Sequence, residues 1–72
     1  MDFEKKVIDV FSRMGSGEGI AHSEDLLYEE VVKNVNNGAD FQNEINCAIK
    51  SLVSKGVIVH DSEKSHQIYL KK

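Results

Sequence analysis

Proline is absent, cysteine and arginine occur once each, and no apolar run is longer than three residues. Each scarcity removes a class. A single cysteine excludes an internal disulfide and a cysteine-rich zinc site. Apolar runs this short exclude a membrane-spanning helix and make a secretory leader unexpected, so the expectation is an intracellular protein with no membrane partner. Arg13 is the lone guanidinium, the group best shaped to fork onto guanine or phosphate. No repeat, linker or low-complexity stretch divides the chain, and 72 residues predict one domain over 1–72. Size scaling gives a folded surface of about 4,500 Å², with ~60% of the unfolded surface buried. That supports one modest core and no deep, dry catalytic cavity.

What is present is an ordinary globular composition, 40% hydrophobic and 29% charged, with net charge −3. The acid is concentrated. Residues 15–38 set Glu18, Glu24, Asp25, Glu29 and Glu30 against Lys33 alone, while residues 1–14 and 39–56 balance and residues 57–72 come to +1. Nucleic-acid affinity without sequence preference comes from neutralising phosphates, so this balance argues against strong non-specific binding.

Phe3, Val7, Val10, Phe11 and Met14 recur at helical spacing, and Gly15-Ser16-Gly17 ends that first helix. Gly19-Ile20-Ala21 suits a brief strand. Ser23 is an N-cap for a second helix striped by Leu27, Tyr28, Val31, Val32 and Val35 and closed by Asn36-Asn37-Gly38. Asp40 is positioned to cap a third helix lined by Phe41, Ile45, Ala48, Ile49, Leu52 and Val53, which Gly56 ends. Cys47 reads as a half-buried packing thiol. Val57–His60 and His66–Leu70 are β-prone and separated by the polar Asp61–Ser65, which predicts a hairpin with His60 facing His66.

The predicted class is α+β: three helices, a short strand between the first two, and a C-terminal hairpin. Gly19-Ile20 leading into Ser23–Leu27, then Ile45–Ile58 through Gly56, then Ile68-Tyr69-Leu70, resembles the winged-helix family in that order. Within it, the chain is similar to C-terminal winged-helix domains of replication proteins, such as minichromosome-maintenance helicases and the replication protein A middle subunit. Its longer connection at Asn36–Ala39 departs from the family pattern and bears on how the third helix docks.

The resemblance implies a non-enzymatic domain with its third helix in the major groove of double-stranded DNA and its wing on the backbone, serving transcription regulation or DNA replication. The residues it points to are Gln42, Asn43, Asn46 and Lys50 on the third helix and Lys64 in the wing. Asn and Gln can pair with adenine in a bidentate way. Asp40 and Glu44, at the same end, are expected to repel phosphates. The alternative is a protein-interaction module. Leu26, Tyr28, Glu29 and Val32 on the second helix would offer an apolar strip with an acidic rim to a partner's basic amphipathic helix. Self-association through the first helix, as a homodimer, is a third expectation.

Chemistry at a single site finds no support. His22, Cys47, His60 and His66 are spaced 25, 13 and 6 residues apart, which matches no zinc pattern, and no third group orients a Cys–His pair. Gly15–Gly19 contains G-x-G-x-G but follows a helix and lacks the P-loop lysine. No catalytic residue, metal or cofactor is expected.

Overall fold

Asp2 opens helix α1 (Phe3–Arg13), its carboxylate accepting from the Lys5 backbone N–H at 3.2 Å. The computed structural model describes residues 2–17 and 19–71. After α1 come strand β1 (His22–Ser23), helix α2 (Glu24–Asn34), a 3₁₀ turn (Gly38–Phe41), helix α3 (Gln42–Ser54), and strands β2 (Ile58–His60) and β3 (Gln67–Leu70). Three helices carry a three-stranded antiparallel sheet in the order β1-β3-β2. This is the α+β arrangement expected, compatible with a winged-helix-like fold.

The apolar stripes meet in one core. Val7 and Phe11 of α1, Leu27 and Val31 of α2, Ile45, Ile49 and Leu52 of α3, and Ile58 and Ile68 of the sheet are fully buried. The accessible surface is 4632 Å², near the value that chain length predicts.

Each helix end has a local cause. Ser23 Oγ accepts from the Leu26 N–H at 3.1 Å, and Glu24 and Asp25 fill the first turn, where the helix dipole favours negative charge. Beyond α2, Asn37 takes a left-handed conformation with φ 59°, and Gly38 presses on the α2 backbone. The Gly56 N–H donates to Val53 O at 3.1 Å and the Val57 N–H to Leu52 O at 3.0 Å, with Gly56 at φ 79°. That pair of bonds is a Schellman motif, which satisfies the last carbonyls of α3.

Several expectations are corrected. Asp40 does not cap α3: it lies inside the 3₁₀ turn, and Phe41 holds the N-cap position without a side-chain bond. Phe41 also leaves the core. It is 38% exposed, with its ring 5.4 Å from that of Phe3, because the 3₁₀ turn breaks the phase of the helical stripe. The short strand falls at His22–Ser23 rather than Gly19–Ala21; Gly17 and Ile20 instead exchange backbone hydrogen bonds with each other at 2.9 and 3.2 Å. His60 opposes Ile68 in the β2–β3 register, and His66 stands in the turn, so the two histidines do not form a cross-strand pair. His60 Nδ1 donates to Ser65 O at 2.8 Å.

One buried hydroxyl completes the sheet. The Lys71 N–H bonds Val57 O and the Asp61 N–H bonds Gln67 O, which sets the alternation of the β2–β3 ladder and turns Leu70 N–H the other way. Strand β1 is too short to reach it. Ser16, only 6% exposed, supplies the acceptor: its Oγ takes the Leu70 N–H at 2.9 Å and donates to Ile20 O at 3.5 Å.

Candidate functional site

Successive residues of an α-helix turn by about 100°. The buried side of α3 is Ile45, Ala48, Ile49 and Leu52, so Asn43, Cys47, Lys50 and Ser54 point directly away from the core. Asn46 sits on one shoulder with Gln42 beyond it, and Glu44 and Ser51 sit on the other. Gln42, Asn43, Asn46 and Lys50 are all exposed. Among the described residues, the ion pairs are Arg13–Asp9, Lys33–Glu30 at 3.7 Å and Lys55–Glu4 at 2.6 Å. The α3 amides and Lys50 belong to none of these and make no other side-chain hydrogen bond.

The acids near this face divide. Glu44 is exposed and borders a groove between α3 and α1 that Asp2, Phe3, Glu4, Cys47, Ala48 and Ser51 also line. It points away from Asn46, by about 160° round the helix. Asp40 remains exposed at the N-terminal end. Lys64 stands in the β2–β3 loop, where Asp61 accepts its backbone N–H at 3.0 Å and its carbonyl accepts the Gln67 N–H at 2.8 Å. Backbone position is thus fixed, while the ammonium makes no ion pair among the described residues. Strand β2 packs against α3, which ties the loop to the helix.

On α2 the expected patch divides. Tyr28 and Val32 are half-buried on one flank, with Asp25 and Glu29 exposed beyond them. Leu26, 40% exposed, lies about 120° round the helix from Val32, near Glu30. The structure brings together Tyr28, Glu29 and Val32 and leaves Leu26 apart. As for α1, its apolar stripe is consumed by the domain's own core, and Lys5, Asp9, Ser12 and Arg13 face outward.

No protein-family model, curated protein or solved structure matches this chain. The chemistry therefore rests on the residues themselves. His22, Cys47, His60 and His66 lie on β1, α3, β2 and the β2–β3 turn, and among the described residues no group of three His, Cys, Asp or Glu side chains could hold a metal. The His22 ring packs on Phe11 with centroids 6.0 Å apart, and its Nε2 is buried without a partner. Among the described residues no helix is long and apolar enough to cross a membrane.

Cys47 is a residue that sequence reasoning misplaced. It is exposed, not half-buried, and lines the groove between α3 and α1 together with Glu44. The signal was available, since residue 47 lies about 150° from the centre of the buried stripe by the 100° rule.

Proposed function

We propose that the chain is a non-enzymatic winged-helix DNA-binding domain that lays α3 in the major groove and the β2–β3 loop on the backbone, in DNA replication or transcription regulation. One observation carries the reading: an exposed row of amides on α3 ends in Lys50, and none of these side chains has a hydrogen-bond or ion-pair partner among the described residues. Recognition helices present their N-terminal part to base edges, and Asn43 and Asn46 occupy that part of α3. An intracellular setting goes with this role.

Electrostatics fixes the kind of binder. With Lys50 and Lys64 as the free cations of this face, log K falls against log salt with a slope of about −1.8. Raising salt from about 50 to 200 mM then costs only about tenfold, far less than for proteins that make many phosphate contacts. Base contacts must supply much of the affinity. Anisotropy of a labelled duplex across that salt range is the test. The expected result is measurable binding with the shallow slope, lost in Lys50→Glu; no binding at low salt rejects the reading.

The flank of α2 supports a second reading, because Tyr28 and Val32 lie side by side next to Asp25 and Glu29. An apolar strip beside carboxylates suits a partner's basic amphipathic helix. NMR shifts confined to residues 25–32 on adding such a peptide, with none on α3 on adding DNA, would favour it.

A further inference from the structure

On the DNA-binding reading above, we infer that α3 reads adenine-bearing steps in the major groove and discriminates against G·C-rich duplex. The argument is one of elimination through the groove code. Guanine offers two acceptors and is met by Arg or Lys, cytosine offers a donor and is met by Asp or Glu, and adenine offers one of each and is met by Asn or Gln. Arg13, the one guanidinium, lies on α1 and is paired with Asp9. Glu44, the acid of α3, is exposed beside the groove against α1, about 160° round the helix from Asn46. The face itself carries Gln42, Asn43 and Asn46, with Lys50 as its one cation.

Spacing agrees with that chemistry. Asn43 and Asn46 are separated by about 4.5 Å along the helix axis and about 60° around it, and Lys50 follows about 6 Å further on. Base pairs rise about 3.4 Å, so the two amides address neighbouring pairs while Lys50 falls at the edge of the footprint. Each side-chain amide would donate to adenine N7 and accept from the N6 amino group.

The test compares A·T-rich and G·C-rich duplexes of equal length with an A·T-rich duplex in which 7-deazaadenine removes the N7 acceptor. The expected result is about tenfold or more tighter binding to the A·T-rich duplex, since each bidentate pair discriminates by about 5- to 160-fold and two amides act together. 7-Deazaadenine should abolish the gain. Asn43→Ala should weaken A·T binding about tenfold and narrow the gap between the two duplexes, whereas Lys50→Glu should weaken both and preserve the gap. Helix content by circular dichroism confirms that Asn43→Ala stays folded. Equal affinity for the two duplexes, or indifference to 7-deazaadenine, overturns the adenine inference while Lys50→Glu still upholds DNA binding. Absence of binding to every duplex at low salt removes both.

Discussion

Two connections in this molecule use glycine for opposite reasons. Between α1 and β1, Gly15 has φ 78° and nothing within 4 Å of where a Cβ would stand. Between α2 and α3, Gly38 has no left-handed backbone, yet a Cβ there would come within 2.1 Å of Val32 O. The first glycine supplies a backbone sign and the second supplies empty volume. Consequently the first connection has room for a side chain at its glycine and is held instead by the hydrogen bonds of Ser16, whereas the second fixes how closely the α3 segment approaches α2. The angle between the acidic flank of α2 and the amide row of α3 is set at Gly38.

The sharpest way to break this contrast is Gly38→Ala, which should cost about 3 kcal/mol or more, because the obstacle is backbone and cannot rotate aside. Urea unfolding measures it, and a loss under about 1 kcal/mol would show that the junction yields. Ser16→Ala, in the other connection, should cost about 2 kcal/mol by leaving the Leu70 N–H buried without an acceptor. Were it to exceed Gly38→Ala, the order of the two connections would be reversed. Gly15→Ala should cost about 1 kcal/mol, from backbone strain alone, with no packing defect. The smallest effect belongs to Asp9→Asn on α1. The hydrogen bond from Arg13, first among the causes, holds the Asp9 carboxyl below its ordinary range; burial opposes this, and the charges of Arg13 and Lys6 assist. Since the folded value is depressed, the contribution is present above the unfolded carboxylate range and lost as pH falls through the folded value. Tm curves of wild type and variant should therefore converge in acid and at high salt, and parallel curves would show the pair to be idle.

The helices and the hairpin were legible because their cores follow local periodicity: Val7, Val10 and Phe11, then Leu27, Val31 and Val35, then Ile45 to Leu52. Strand β1 was not, because pairing with β3 chooses its position, and Ile20, though β-branched, already bonds Gly17. Phe41 was misread for a related reason. A 3₁₀ turn advances by about 120° per residue, so a stripe counted at 100° runs out of phase across it. In the candidate site, the exposure of Asn43, Asn46 and Lys50 could be read from the same helical wheel that separates Leu26 from Val32. That Glu44 borders a groove could not, because the groove depends on α1 packing alongside α3.

Ser16 has an effect beyond the stability of one hydrogen bond. A strand two residues long leaves its neighbour with a vacant rim, and such rims recruit foreign chains into stacked sheets. By accepting the Leu70 N–H, the Ser16 hydroxyl fills with a single oxygen the place that a longer β1 would take beside the central strand, and leaves that amide nothing to offer a foreign strand.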